Sequence, residues 1–294
     1  MPLPLESVPN FSEGRGRATI DALAAALGAH ARLLDVHSDT DHNRSVFTLV
    51  GSEDELTRAL VAGVAAAKEH IDLRRHEGAH PRIGAADVVP LVPLDPGDMT
   101  RAREAARAVG ERIGEELSLP VFLYGEVGGS HGPAHFRRGG PAELQRRIDA
   151  GEVQPDYGPD RLDPAAGGVL VGARRPLVAF NVNLASQDVE VAHAIATAVR
   201  ESGGGFPGVR ALGLALPAAG CVQVSMNVED WEAAALHEIV ARIEREAGEH
   251  GVQIRDAELV GLMPAGAAAA AAGSALRIDG FDASRVLELR LLDP

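Results

Sequence analysis

The segment RRHEGAHPRIGAADVVP, residues 74–90, carries the side chains of this chain that are best suited to chemistry. Its HEGAH run matches the H-E-x-x-H pattern, in which two histidines one helical turn apart bind zinc. Here Gly78 separates His76 from His80, and Pro81 disfavours a helical conformation at His80. Neighbouring arginines also oppose the binding of a dication. We therefore expect no metal, and a loop that presents His80.

A histidine in such a loop can exchange a proton near neutral pH. The alternative is a surface histidine without a role, and physical reasoning alone does not separate His80 from His76. A zinc hydrolase that uses both histidines remains a less favoured alternative.

The bulk composition predicts a folded protein with an aliphatic core. The chain has 294 residues, of which 46% are hydrophobic and 3% aromatic, which suits one large domain or two smaller ones. A formal net charge of −14 argues against nucleic acid or membrane partners, because both attract clustered positive charge. The single cysteine, Cys221, lies in an apolar run, which predicts a buried residue and a cytoplasmic location. We see neither a signal peptide nor a membrane span.

Hydrophobic periodicity predicts the order β-α-β-β-α-β in the first half of the chain. Ser52 and Glu55 form a capping box ahead of the second helix. A further helix at about residues 100–117 and a strand at 121–127 extend this unit. The glycine-rich segments that follow predict long loops.

The second half repeats this element order, with strands at 176–184, 209–216 and 221–228. Ser186 and Asp230 are the predicted N-caps of its two helices. The expected fold class is α/β (α+β): two ferredoxin-like β-α-β-β-α-β lobes with a ligand cleft between them. We place the lobes at residues 1–175 and 176–294.

Seven segments, in order along nearly the whole chain, resemble the formiminotransferase domain of the glutamate formimidoyltransferase family. They are VPNFSEGR (8–15), DHNRSVFTLVG (41–51), GAHPRIGAADVVPLVP (78–93), VFLYGE (121–126), PDYGP (155–159), GARRPLVAFNVNL (172–184) and LVGLMP (259–264). The cyclodeaminase domain that follows in the bifunctional animal enzyme is not part of this sequence. The resemblance implies transfer of the formimidoyl group from N-formimidoyl-L-glutamate to N5 of tetrahydrofolate, in histidine degradation and one-carbon metabolism.

The resemblance also implies roles for residues. His80, in the "HPR-G" motif, corresponds to the family's general acid/base, and the family's folate-contacting loop corresponds to GPDRLDPAAG. With the preceding tyrosine as a stacking partner for the pterin, the folate-binding candidates are Tyr157, Gly158, Pro159, Asp160, Arg161, Leu162, Asp163, Pro164, Ala165, Ala166 and Gly167. The substrate-binding candidates are Asn10, Asp39, Arg44, Arg82, Gly84, Arg174, Asn181 and Asn183.

The residue types suit this chemistry. Attack by N5 gives a tetrahedral intermediate that loses one proton and gains another, and one histidine can serve both steps. Arginine forks suit the glutamate carboxylates of both substrates. The arginines in or beside these segments, each of which can equally be a solvated surface charge, are Arg44, Arg82, Arg137, Arg138, Arg174 and Arg175.

A carboxylate near the cationic amidine would favour its binding, and Asp35, Asp39 and Asp41 are candidates that can equally be solvated turn residues. His37 stands where many relatives carry an acidic residue. If that acid orients the catalytic histidine or the amidine, Asp39 or Asp35 would do so in this chain. This departure keeps open a folate-binding protein that acts on another one-carbon folate, such as 5-formyltetrahydrofolate. We expect small-molecule partners, with a homodimer as one option.

Overall fold

The computed structural model describes residues 3–129 and 131–292. Within it the chain divides into two compact units, Met1–Arg175 and Pro176–Pro294. Each unit has its own sheet, and the larger one belongs to the first unit.

The first unit begins with a strand that is broken at Val8 and Pro9. Its halves, β1 (Leu5–Ser7) and β2 (Asn10–Phe11), both lie antiparallel between β4 and β5. The elements that follow are α1 (Arg17–Gly28), β3 (Arg32–Asp39), β4 (Arg44–Gly51), α2 (Glu53–His70), β5 (Ala86–Pro93), α3 (Met99–Leu117) and β6 (Val121–Gly125).

In space the strands run β3, β4, β1/β2, β5, all antiparallel to their neighbours. This is the ferredoxin-like order, and the prediction is confirmed for this unit. The capping box is also confirmed, since the Ser52 side chain accepts from the Glu55 amide while the Glu55 carboxylate accepts from the Ser52 amide.

Two further strands extend the sheet, because β7 (Val169–Ala173) pairs in parallel with both β5 and β6. The prediction of long loops before β7 is wrong in part. The chain there forms α4 (Pro133–Arg137) and α5 (Gly140–Asp149). The amphipathic pattern of α5 is short and lies among glycines, so it did not predict a helix. Its buried side chains include Leu144 and Ile148.

The sheet of the first unit has two unlike faces. One packs against α1, α2 and α3, where the rings of Phe11 and Phe47 meet edge to face at 5.4 Å between centroids. The other carries a smaller cluster under α4 and α5 that includes Phe122, Tyr124 and Phe136.

The second unit is ferredoxin-like as well, since its antiparallel strands run in the order β11, β8, β10, β9. Its elements are β8 (Val178–Leu184), α6 (Val189–Val199), β9 (Val209–Leu216), β10 (Cys221–Val228), α7 (Leu236–Glu249), β11 (Ile254–Val260), α8 (Ala265–Leu276) and α9 (Leu287–Leu292). The predicted α+β class, with a ferredoxin-like strand order, is therefore confirmed within each unit. Cys221 is buried, as expected.

Two predicted helix caps in this unit are wrong. The N-cap of α6 is Asp188, whose carboxylate accepts from the Glu190 amide, while the Ser186 hydroxyl accepts from the Asp188 amide in the preceding turn. Asp230 accepts from the Ala233 amide, also ahead of its helix. Such residues serve turns as readily as helix ends, which is why their positions misled the prediction.

Among the described residues, no helix is both long and apolar enough to cross a membrane.

Candidate active site around His80

The segment that carries His80 is fastened by Arg82. The Arg82 guanidinium donates from Nε to the His80 carbonyl at 3.0 Å and from Nη2 to the His42 carbonyl at 3.0 Å. Burial lowers the pKa of Arg82 to about 10, with Asp87 opposing and Arg137 reinforcing that change. Arg82 was predicted to bind substrate, and in the structure its donors contact the His80 and His42 carbonyls and the ring of His76.

Asn43 joins three segments at this point. Its Oδ1 accepts from the Gly14 amide at 2.9 Å, and its Nδ2 donates to the Glu77 carbonyl at 2.9 Å. Asn43 has a φ of 46°, in the left-handed region that asparagine tolerates better than most residues. The turn between β3 and β4 is therefore tied to the segment that presents His80.

The ring orientation of His80 defines its proton chemistry. Nδ1 lies 2.8 Å from the Pro81 carbonyl oxygen, which can only accept, so in the neutral ring Nδ1 carries the proton. Nε2 is then the nitrogen with a lone pair. The geometry makes Nε2 the atom that can take up and return a proton.

The surroundings of His80 keep this ring neutral. Burial, and then the positive charges of Arg44 and Arg137, hold its pKa well below the ordinary value, with His42 adding to the effect. The rings of His42 and His80 lie 6.0 Å apart between centroids. At neutral pH His80 is therefore a free base, and its protonated form is a stronger acid than an ordinary imidazolium.

His76 is engaged differently. Its Nε2 lies 3.0 Å from the Asn43 carbonyl oxygen, and Nη1 of Arg82 contacts its ring nitrogens. The stretch from His76 to Arg82 contains no helix, so the two histidines do not share a helical face. In the part of the chain that the structure describes, no group of three or more His, Cys, Asp or Glu side chains could hold a metal ion.

A cluster of cations lies beside His80. Arg44 opens β4, and burial, followed by the charge of Arg137, lowers its pKa to about 10. Asp87 and Asp39 act in the opposite direction on Arg44. Arg137 pairs through Nη2 with the Asp87 carboxylate at 2.5 Å. Such partly desolvated cations favour the binding of an anion.

The predicted acidic residues lie on the hairpin of β3 and β4. Asp39 is directly opposite Arg44, and its Oδ1 accepts from the His42 amide at 2.6 Å. Asp35 and His37 lie on the same face of β3 as Asp39, because every second residue of a strand points to the same side. The Asp41 carbonyl accepts from the Ala79 amide, so Asp41 helps to fasten the loop. Of the three predicted acidic residues, Asp39 is thus the one that acts on Arg44 of the cation cluster.

The predicted folate loop is fixed at both ends. At its start, the Tyr157 ring packs against Gly110 and Gly114 of α3. At its end, the Gly168 amide donates to the Ile83 carbonyl and the Ala85 amide to the Ala166 carbonyl. The Asp163 carboxylate accepts from the Ala165 and Ala166 amides at 2.8 Å each, and Leu162 is anchored through Gln145. The exposed members are Gly158, Pro159, Asp160, Arg161 and Pro164.

Gly84 is where this loop meets the His80 segment. A Cβ at Gly84 would lie 1.9 Å from the Gly168 carbonyl oxygen, so only glycine allows this approach. Gly84 was predicted to bind substrate, and the structure gives it this packing role.

The remaining candidates lie on other elements. Asn10, on β2, donates to the Val8 carbonyl just before that strand. Arg174 follows β7 and interacts with the hydroxyl of Tyr124, whose pKa burial raises to about 12. Asn181 and Asn183 lie in the second unit, where they donate to the carboxylates of β11.

Asp87, Asn43, His42 and Tyr124 were missed by the sequence analysis. Asp87 carried a usable signal, because it is a lone charge inside the otherwise apolar run AADVVPLVP, and a buried charge is rare unless it is paired. Asn43 carried none, since its partners are distant in sequence.

Comparison with known proteins supports the resemblance. Residues 4–174 match the formiminotransferase domain, N-terminal subdomain, and residues 179–279 match the formiminotransferase domain. The chain is similar to a glutamate formimidoyltransferase of Streptococcus pyogenes serotype M1, with 40% identity over 294 residues and 98% of each chain covered. A glutamate formimidoyltransferase of Thermoplasma acidophilum is 36% identical, with 98% of this chain and 97% of the relative covered.

The match to a formimidoyltransferase-cyclodeaminase of Sus scrofa is 40% identical over 272 residues, which is 88% of this chain and 50% of that relative. The fold and the site define a two-unit α+β protein with a histidine beside a cation cluster. The chain belongs to the formiminotransferase domain family.

Proposed function

We propose that this protein transfers the formimidoyl group of N-formimidoyl-L-glutamate to N5 of tetrahydrofolate, giving 5-formimidoyltetrahydrofolate and L-glutamate. The observation that carries the proposal is His80, a neutral imidazole whose Nδ1 is fixed by the Pro81 carbonyl beside a cation cluster. Two relatives that are similar over 98% of this chain bear the name glutamate formimidoyltransferase.

In this mechanism His80 serves two proton transfers. N5 of tetrahydrofolate attacks the amidine carbon, and Nε2 of His80 takes the proton that N5 loses. The same proton then passes to the nitrogen of glutamate, the bond from that nitrogen to the amidine carbon breaks, and the formimidoyl group stays on N5. The cations that depress the pKa of His80 weaken it as a base and strengthen it as an acid in the second transfer.

The charged side chains around His80 divide the binding tasks. Arg44 and Arg137 bind a carboxylate of N-formimidoyl-L-glutamate, since arginine forks pair with carboxylates through two hydrogen bonds. Asp39, opposite Arg44 on the hairpin, faces the cationic amidine. Tetrahydrofolate is the co-substrate, and the exposed residues 158–161 of the loop contact it. Holding both substrates together supplies much of the remaining rate enhancement.

The acid limb of activity tests the environment of His80. We expect the pH profile of kcat/KM, which reports the free enzyme, to fall only below pH 6.5, because His80 has a pKa well below that value. Arg44→Gln removes a positive charge that disfavours the imidazolium and should move this limb to higher pH. Arg112→Gln, which changes an exposed ion pair with Glu116, is the matched control and should leave it in place. A limb that Arg44→Gln moves to lower pH would contradict this electrostatic arrangement.

The proposed reaction is tested by mixing the purified protein with tetrahydrofolate and N-formimidoyl-L-glutamate. Product is converted by acid to the methenyl form and measured by absorbance. A parallel reaction replaces the donor by 5-formyltetrahydrofolate and glutamate. Turnover with N-formimidoyl-L-glutamate supports the proposal, whereas turnover with the formyl compound alone would favour the alternative that His37 keeps open.

A further inference from the structure

Asp87 is a buried carboxylate at the start of β5 with two separate partners. It is 3% exposed. Oδ1 accepts from the Ile83 amide at 2.7 Å, and Oδ2 accepts from Nη2 of Arg137 at 2.5 Å. Each oxygen thus holds a different part of the site: one the end of the His80 segment, the other a cation.

The charges around Asp87 leave room for one more anion. Three positively charged guanidinium groups, those of Arg44, Arg82 and Arg137, interact electrostatically with one another or with His80. The carboxylates that interact with Arg44 are two, Asp87 and Asp39. Nε of Arg137 is buried and has no hydrogen-bond partner among the described residues. A buried donor without a partner is costly, so the described side chains leave this guanidinium incompletely satisfied.

We propose that Asp87 is a positioning residue that sets the affinity for the donor's carboxylate by holding Arg137. The hydrogen bond from Nη2 of Arg137 to Asp87 holds the guanidinium group in place beside His80 and leaves its positive charge to attract the ligand carboxylate. This inference rests on the proposed function for the identity of the ligand, a glutamate-type dicarboxylate. It adds a residue that itself touches neither substrate.

The replacement that separates the two tasks of Asp87 is Asp87→Asn. Its amide oxygen can still accept from the Ile83 amide, but its amide nitrogen would face the Arg137 guanidinium, donor against donor. The hydrogen bond that positions the Arg137 guanidinium is then lost, while the hydrogen bond from the Ile83 amide remains. We expect an increase of about 10- to 100-fold in the Kd of L-glutamate and in the KM of the donor, since charge-assisted hydrogen bonds contribute on this scale. The KM of tetrahydrofolate and kcat should change far less.

A double-mutant cycle shows whether Asp87 acts through Arg137. L-glutamate binding is measured by calorimetry for Asp87→Asn, Arg137→Gln and the double variant, with Arg112→Gln as control. We expect the double variant to bind as Arg137→Gln does, because the carboxylate has no task left once the guanidinium is gone. The inference would be overturned if the increases in Kd of the two single variants multiply in the double variant, or if Asp87→Asn leaves the Kd unchanged. It would also be overturned if Asp87→Asn raises the KM of both substrates equally.

A second measurement leaves Asp87 unaltered, in case Asp87→Asn does not fold. Arg137→Ala opens a space beside the carboxylate, and millimolar guanidinium should restore L-glutamate binding by occupying it. Absence of rescue would overturn the inference. Because calorimetry needs no turnover, the outcomes are separable: coupling without formimidoyl transfer would defeat the proposed function alone, and transfer without coupling would defeat the role of Asp87 alone.

Discussion

Replacing His80 by alanine should lower kcat for formimidoyl transfer by about 10²- to 10⁴-fold, the usual contribution of a positioned acid/base. The fold should persist, because the hydrogen bond of the ring is to the carbonyl of the adjacent residue, Pro81. The measurement is steady-state turnover with tetrahydrofolate and N-formimidoyl-L-glutamate, with circular dichroism as the check on folding.

His76→Ala is the matched control for this variant. His76 has both ring nitrogens in contact with Asn43 and Arg82, so its loss loosens the loop without removing a proton carrier. We expect a decrease in kcat that is much smaller than that of His80→Ala. Equal losses in the two variants would reject a mechanism with one histidine and revive a site that needs both.

Gly84→Ala should be strongly destabilising. Its Cβ would lie 1.9 Å from the Gly168 carbonyl oxygen and 2.8 Å from that of Ala86, and backbone atoms cannot move aside as a side chain can. We expect a loss of about 3 kcal/mol or more in the free energy of unfolding. Activity should fall as well, because the His80 segment and residues 163–168 are held together at this point. Urea unfolding and turnover provide the two measurements.

Gly28→Ala controls for the glycine-to-alanine change itself. A Cβ at Gly28, the last residue of α1, meets nothing within 4 Å, so this variant should gain stability by about 0.5–1 kcal/mol. If Gly84→Ala unfolds at the same urea concentration as the unaltered protein, the close contact with Gly168 does not exist in solution.

Much of the fold follows from local patterns. The order β-α-β-β-α-β in each half and the capping box at Ser52 follow from local patterns, and the structure has them as predicted. The strand β7 and the helix α5 were missed because glycine and proline surround them and their apolar patterns are short. What makes β7 a strand is parallel pairing with β5 and β6, a long-range contact that no local pattern carries.

The site was less accessible from the sequence. His80 was singled out by the resemblance, since periodicity and spacing did not distinguish it from His76. Arg82 has the residue type that binds carboxylates, yet its donors lie on the His80 and His42 carbonyls. Asn43 shapes the site through contacts at sequence distances of 29 and 34 residues. Only the folded chain reveals such contacts.

The most direct measurement is turnover by protein that has been treated with chelator and freed of metal. With tetrahydrofolate and N-formimidoyl-L-glutamate, we expect 5-formimidoyltetrahydrofolate at the same kcat as untreated protein, and no increase on adding zinc. That result is the one expected of His80 acting as an acid/base without a metal. Activity that disappears with chelator and returns with zinc would contradict it and place a metal on His76 and His80.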